Sequence, residues 1–263
     1  MASSAPPSSV FAYRDRIVWA SATAGFVGGQ SERPACVLLL GLEPFDLLTG
    51  RRKLRSRALL VAPNLRRAVD THGAGHYSLT LDPAHRAHRY LRDGVLRGRN
   101  WLDLETRLDR GVLAELRRAL GGGLDCAQSF AISEQLLAHF CPGAADAPRP
   151  DSRVAQVAGW LRQRVPARAS MAQLSAMCGL SPGRLSHLFS EELGVSIRSY
   201  LRWAKMCRAL ELLGSHRTVT EVAAEVGFSD AAHFTRVLRS YYSAAPSFAV
   251  KPENVRMHRC DCA

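Results

Sequence analysis

Two short segments of the chain place hydrogen-bond donors on one side of a helical period. In each segment apolar residues recur at i, i+3 and i+4, and the positions between them carry arginine, histidine, serine or threonine. The donors of the first segment are Arg184, Ser186, His187 and Ser190, and those of the second are His233, Thr235, Arg236 and Arg239. Because the arginine fork fits either a guanine edge or a phosphate, these outward-facing rows predict contact with a nucleic acid.

Each donor row lies in the second of two helices that a tight turn connects. Residues 170–189 (SMAQLSAMCGLSPGRLSHLF) and 218–238 (TVTEVAAEVGFSDAAHFTRVL) align when one is displaced by 48 residues. In both copies, a glycine, an apolar residue and a serine separate two apolar-periodic segments, and the second copy has one extra residue in the turn. Gly179 and Gly227 are expected to end the first helices in the left-handed conformation. The pattern predicts two helix-turn-helix units, whose second helices enter the major groove of DNA.

The start of each second helix and the spacing of the two units are also predicted. Ser181 and Ser229 are expected to N-cap these helices, so that backbone N–H groups face phosphates. Between the units, residues 196–213 read as one helix of 18 residues, which is roughly 27 Å long at about 1.5 Å per residue. Successive major grooves on one side of B-DNA are about 34 Å apart, so a single chain could reach two of them.

The two units and their connecting helix resemble the DNA-binding domain of the AraC/XylS transcription regulators. The resemblance covers about residues 154–248 and is strongest in GFSDAAHFTRVLRSYYSAAPS at 227–247. It implies DNA binding through both units. The family's usual glycine after the second recognition helix is Ser243 here, its usual Tyr-Arg is Ala249-Val250, and its common arginine in the first recognition helix is His187. The contacts that we predict are made by Ser181, Arg184, Ser186, His187, Ser229, His233, Thr235 and Arg236.

Composition sets outer limits on the fold and its partners. A chain of 263 residues with 47% apolar residues is expected to form two domains. The net charge of +12 favours a polyanionic partner, although both halves of the chain contribute equally. The sequence has seven cysteines and no signal-like start, so we expect the protein in a reducing cytoplasm. No apolar run reaches the ~20 residues of a membrane span. Cys260 is expected in a frayed polar tail.

The order of the elements predicts an α+β chain. Residues 1–9 are expected to be disordered. Short apolar runs in about 16–82 favour a small β-sandwich or barrel, which the family resemblance implies is cupin-like. Residues 84–141 form a helical hairpin that either covers the barrel or makes a homodimer. The predicted boundaries are then an effector-binding or dimerisation domain at 1–141, a linker at 142–151, a DNA-binding domain at 152–250 and a tail at 251–263.

No catalytic or metal-binding set is predicted. His72 precedes a Gly-Ala-Gly turn, whereas His85 and His88 follow Asp82 and a proline at a helix start, so neither these residues nor His76 form a ligand pattern. The basic run at 51–57 is expected to be a solvated hairpin tip. No nucleophile motif or phosphate-binding loop is present in the sequence. We therefore expect no cofactor, no metal and no enzymatic activity.

The function that we predict is transcription regulation by an AraC-type protein with two helix-turn-helix units. Its expected partners are double-stranded DNA and a small-molecule effector at the N-terminal domain. A second copy of the chain is a further expectation, as is RNA polymerase if the protein is an activator. Two alternatives stay open: a protein-interaction module with degenerate helix-turn-helix units, and a cupin-type enzyme.

Overall fold

The computed structural model describes residues 8–23, 29–165, 170–213, 217–243, 246–249, 251 and 253–260. A β-sheet with flanking helices occupies the N-terminal part, and a purely helical domain follows until the last strand. The predicted α+β class is therefore confirmed. No helix in these ranges is long and apolar enough to cross a bilayer.

One sheet organises the N-terminal domain. Its strands follow the order β7-β4-β3-β6-β2-β1-β8, and β5 pairs with β3. The first seven strands are β1 (Ser8–Ala12), β2 (Arg16–Thr23), β3 (Val37–Thr49), β4 (Arg52–Val61), β5 (Ala68–Asp70), β6 (Ala74–Leu81) and β7 (Trp101–Asp103). Successive side chains of a strand point to opposite faces, so Leu38 and Leu40 enter one buried cluster while Val37 and Leu39 enter another.

The C-terminal tail completes this sheet, which corrects two expectations. Strand β8 (Val255–Arg259) pairs with β1 in parallel, from Ser8 opposite Val255 to Ala12 opposite Arg259. Cys260 follows and forms a disulfide with Cys126. The predictions of disorder at residues 8–9 and of a frayed tail are wrong because the open edge of β1 supplies backbone partners for the tail. Residues 1–7 and Cys262 lie outside the described residues.

The predicted helical hairpin covers one face of the sheet. Its helices are α2 (Arg110–Leu120) and α3 (Cys126–Phe140), and they follow α1 (Arg86–Arg89), which continues as a π-helical turn to Val95. The hairpin packs its apolar stripe onto the sheet in one cluster, through Leu116, Leu136 and Phe140. The buried apolar side chains of this hairpin therefore pack against the sheet of the same chain.

Seven helices follow among the residues that the structure describes. They are α4 (Ser152–Gln163), α5 (Met171–Cys178), α6 (Pro182–Leu193), α7 (Ile197–Leu213), α8 (Val219–Glu225), α9 (Ala231–Tyr242) and α10 (Pro246–Ala249). Helix α7 has 17 residues and lies at the centre, with Trp203 and Tyr200 fully buried. The same cluster includes Phe189 of α6, Phe234 of α9 and Trp19 of β2, so the core runs from the helical domain into the sheet.

Candidate nucleic-acid interface

The turn of the first helix-turn-helix unit forms as its sequence predicts. Helix α5 starts with a capping box, in which Ser170 and Gln173 bond to each other's backbone N–H groups. It ends at Gly179, which has a φ of 65°. Ser181 then caps α6, because its hydroxyl accepts from the backbone N–H of Arg184 at 3.3 Å. Pro182 occupies the first helical position, where its missing N–H costs nothing.

The second unit has the same frame with a different cap. Gly227 again has a positive φ, of 74°. The N-cap of α9 is Asp230, whose carboxylate accepts from the backbone N–H of His233 at 2.6 Å. This backbone bond holds the pKa of Asp230 below its usual value. The prediction that Ser229 caps α9 is wrong by one residue, because the extra turn residue moves the start of the helix and Asp230 then supplies the acceptor.

Counting from the observed caps gives the true correspondence of the two rows. Arg184 stands three residues after the cap of α6, as His233 does in α9. His187 stands six residues after the cap, as Arg236 does. The arginine and the histidine have therefore exchanged places between the two helices. The remaining equivalents are Ser186 with Thr235 and Ser190 with Arg239.

Both rows lie on the surface. The side chains of Ser181, Arg184, Ser186, His187, Ser229 and Arg236 are exposed, and those of His233 and Thr235 are half-buried. The opposite faces supply the core residues Leu185, Leu188 and Phe189 in α6, and Phe234, Val237 and Leu238 in α9. His187 lies 3.6 Å from Glu191, and the ring of His233 stands edge-on to Phe228 at 5.3 Å. The frame thus presents donors to solvent in both units.

The connecting helix is fastened to the N-terminal domain by one buried carboxylate. Asp82 is 2% exposed and follows β6. Its oxygens accept from the Tyr200 hydroxyl at 3.0 Å and the Trp203 indole at 2.9 Å, and Arg162 of α4 forms an ion pair with it at 3.0 Å. These contacts fix α7, and therefore both units, on the sheet.

The C-terminal ends of both recognition helices also contact the N-terminal domain. Arg89 forms an ion pair with Glu192 of α6 at 2.5 Å. Arg33 donates from Nε to the carbonyl of Tyr241 at 2.7 Å, and its guanidinium lies 4.5 Å from the ring centre of Tyr242. Sequence reasoning missed these contacts because they join residues that are far apart in the chain.

Comparison with known proteins agrees with this geometry. A family model described as a helix-turn-helix domain matches residues 174–251. The chain is 33% identical over 102 residues to the arabinose operon regulatory protein of Salmonella typhimurium, which is 38% of this chain and 36% of that protein. The protein of the same name from Escherichia coli is 32% identical over 102 residues, with 38% and 35% covered. The helix-turn-helix part of the chain is therefore similar to that of AraC-type regulators. The matched region covers little more than a third of the length of these relatives.

Solved structures extend the likeness in fold to most of the chain. The apo form of a ToxT variant from Vibrio cholerae has a TM-score of 0.62 and 11% identity, and the match covers 91% of this chain and 98% of ToxT. Wild-type ToxT with a bound unsaturated fatty acid has a TM-score of 0.55 and 12% identity, with 90% and 95% covered. At these identities the likeness shows a shared fold.

The histidines in the described part of the chain do not converge on one site. His72 lies 2.6 Å from Asp46 and 3.7 Å from Asp70, and the three groups have ligand atoms within 4.8 Å of one another. Asp46, however, already pairs with Lys53 at 2.8 Å, so cationic side chains balance its charge. His88 is fully buried in α1, where burial lowers its pKa to about 3. The arrangement is that of an ion-pair cluster beside a separate core histidine.

Proposed function

We propose that the chain is a sequence-specific DNA-binding transcriptional regulator that uses both helix-turn-helix units. The observation that carries the proposal is the pair of exposed donor rows on helices whose other faces are buried. A surface that only contacts solvent does not require the same row of donors on two helices. A protein that contacts bases in two major grooves of DNA does require it. The matched relatives are regulators by name, and we propose no catalytic activity for the chain.

In the proposed mechanism α6 and α9 enter successive major grooves on one side of the duplex. Arg184 and Arg236 donate to guanine or to phosphate, and their rows supply the additional donors Ser186, His187, His233 and Thr235. Backbone N–H groups at the helix starts, next to Ser181 and Ser229, face phosphates. Because the rows differ and lie in one chain, the target is asymmetric and about 17 to 21 base pairs long.

We further propose that the N-terminal domain receives a small-molecule effector. The fatty-acid complex of ToxT, which shares the fold, supports this step. The contacts of Asp82 and Arg33 with the helical domain would transmit the effect, because both reach the elements that carry the donor rows. A homodimer, and RNA polymerase if the protein is an activator, complete the proposed partners.

The test is a gel-shift titration of the full chain against a sequence selected from random DNA. Arg184→Ala and Arg236→Ala are each expected to weaken binding by about 1–3 kcal/mol, the usual loss for an arginine that reads a base. Arg51→Ala is the matched control, since Arg51 is an exposed arginine in the turn between β3 and β4. Binding should also fall steeply with salt as phosphate contacts are screened. Unchanged affinity in both variants, or binding that ignores salt, would favour the interaction-module alternative.

A further inference from the structure

The disulfide between Cys126 and Cys260 joins two parts of the chain that are held very differently. Cys126 is the first residue of α3, and its backbone carbonyl accepts from the Tyr13 hydroxyl at 2.6 Å. A capping box between Asp125 and Gln128 fixes the same helix start. Cys260 follows the short strand β8 and is the last residue of the described chain. One sulfur therefore belongs to a fixed helix and the other to a terminal strand.

Strand β8 is held along one side. It pairs with β1 over five residues, and no strand of the described chain pairs with its outer edge. His258 stacks on Phe11 with the ring centres 4.3 Å apart, and Val255 is buried in the cluster that includes Trp203 of α7. A short pairing at the edge of a sheet opens by local unfolding at a lower free energy than the strands inside it. The disulfide thus adds a covalent attachment to the element that most needs one.

A reductant reaches this bond from the side of Cys126. Cys126 is half-buried, whereas Cys260 is 5% exposed. Among the free cysteines that the structure describes, Cys36, Cys141 and Cys207 are buried, and burial raises the pKa of Cys141 to about 12. Because the thiolate is the reactive form of cysteine, these buried thiols do not compete for an oxidant or a reductant.

The compartment that the sequence predicts gives this disulfide a different meaning from that of a secreted protein. Disulfides are rare in a reducing cytoplasm, and those that form there are usually catalytic or redox-sensing. We propose that Cys126 and Cys260 form a thiol–disulfide exchange site whose co-substrate is a dithiol, and that reduction of the site releases β8 from the sheet. This proposal concerns the tail and does not depend on the binding of DNA.

The exchange takes place in two steps. One thiolate of the dithiol attacks the sulfur of Cys126, the S–S bond breaks, and its electron pair leaves with the sulfur of Cys260, which takes a proton. The second thiolate attacks the dithiol's own sulfur in the mixed disulfide and expels Cys126 as a thiolate, which takes the second proton. The dithiol loses two electrons and two protons, and the two cysteines gain them. The oxidised dithiol drives the same steps in reverse.

Reduction changes what keeps β8 in place. In the oxidised chain the bond to α3 holds Cys260 beside the sheet, so a strand that opens closes again as an intramolecular step. In the reduced chain the pairing with β1 and the contacts of Val255 and His258 act alone. Release of β8 opens the outer edge of β1 (Ser8–Ala12) and removes Val255 from the cluster that the sheet shares with the helical domain.

Equilibration of the full chain with mixtures of reduced and oxidised dithiothreitol tests the proposal without DNA. After an acid quench, mass spectrometry measures the alkylation of Cys126 and Cys260 by iodoacetamide. Both cysteines should become alkylated together. The reduced fraction should rise from about a tenth to about nine tenths over a roughly hundredfold change in the ratio of reduced to oxidised dithiol, as exchange with one dithiol requires.

Limited proteolysis measures the release of the strand. Arg256 is an exposed residue of β8, and trypsin cleaves after it only when the strand opens. This cleavage should be about tenfold or more faster in the reduced chain, since the open form is then more populated. Cleavage after Arg16, which is buried in β2, should stay slow in both forms, because the sheet itself remains folded.

Variants of single cysteines identify the residues that respond. Cys260→Ser and Cys126→Ser should be cleaved quickly after Arg256 with or without reductant. Cys178→Ser removes a half-buried thiol of α5, and Cys262→Ser removes the other cysteine of the tail. Both of these control variants should keep the response of the wild type.

Three results would overturn the proposal. The first is cleavage after Arg256 at the same rate in the oxidised and the reduced wild type. The second is cleavage after Arg16 that accelerates as much as cleavage after Arg256, since reduction would then unfold the sheet. The third is a response that Cys262→Ser abolishes and Cys260→Ser keeps, because the exchanging pair would then be a different one.

Discussion

The two helix-turn-helix units share a frame and differ in the surface that the frame presents. Both turn at a left-handed glycine, and both bury three apolar side chains at the same distances from the cap. The first row places Arg184 near the helix start and His187 one turn later, whereas the second places His233 first and Arg236 later. The second row also ends in Arg239 where the first has Ser190. A duplicated frame thus fixes where donors stand but not which donors they are, so two different half-sites are expected.

The two units also differ in how they are attached to the N-terminal domain. The first is held by the ion pair of Arg89 with Glu192, in which Arg89 is 41% exposed. The second is held by Arg33 beneath Tyr242 and is followed by the tail, which ends in a strand and a disulfide. Solvent screens the first attachment and largely spares the second. We therefore expect the second unit to be attached to the N-terminal domain more firmly than the first unit.

Removing the tail's cross-link should have the largest effect on this difference. Cys126→Ser opens a disulfide between residues 134 positions apart, and closing so long a loop stabilises a fold by roughly 2–5 kcal/mol. Urea unfolding under oxidising conditions should show this loss, and hydrogen exchange should rise at the end of α9 more than at the end of α6. Reducing agent should destabilise the wild type and leave Cys126→Ser unchanged. A wild type that is indifferent to reduction would contradict the prediction.

The two attachments can next be compared directly. Arg33→Ala leaves the Tyr241 carbonyl and the Thr80 hydroxyl, at 2.7 and 2.8 Å from the guanidinium, without their donor. The expected cost is about 2–3 kcal/mol of unfolding free energy. Arg89→Ala removes a half-exposed ion pair and should cost about 1 kcal/mol or less. In 1 M NaCl the effect of Arg89→Ala should shrink and that of Arg33→Ala should persist. Equal costs in urea unfolding would show that the attachments do not differ.

Acid should weaken both attachments, because a neutral histidine lies beside each. Burial lowers the pKa of His88, next to Arg89, to about 3, and that of His76, near Arg33, to about 4. In the unfolded chain these histidines bind protons near pH 6.5, whereas in the folded chain they stay neutral. Their contribution to the unfolding free energy is therefore fully present above pH 6.5 and is lost as the pH drops towards 4. At pH 5 the loss is about 2 kcal/mol for His88 alone. His88→Leu should flatten the plot of unfolding free energy against pH, and an unchanged slope would contradict this assignment.

Sequence reasoning succeeded where a few neighbouring residues decide the structure. The turns at Gly179 and Gly227 and the cap at Ser181 depend on local backbone preference, so their types suffice. Ser229 and Asp230 are both good caps by type, and only the register of the folded helix decides between them. The strand at 255–259 pairs with residues at the other end of the chain, and such a pairing leaves no local signal.

The smallest expected effect concerns the exchanged positions themselves. The double variant Arg184→His with His187→Arg gives the first row the order of the second, while the cap and the buried face of α6 stay as they are. Total affinity should therefore change by less than about 1.4 kcal/mol. The preferred bases of the first half-site should change in a selection from random DNA, because the arginine then stands one turn further along the groove. Arg184→His alone should lose affinity without this new preference. An unchanged selected sequence in the double variant would mean that the first row touches phosphates only, and the difference between the two rows would then carry no sequence information.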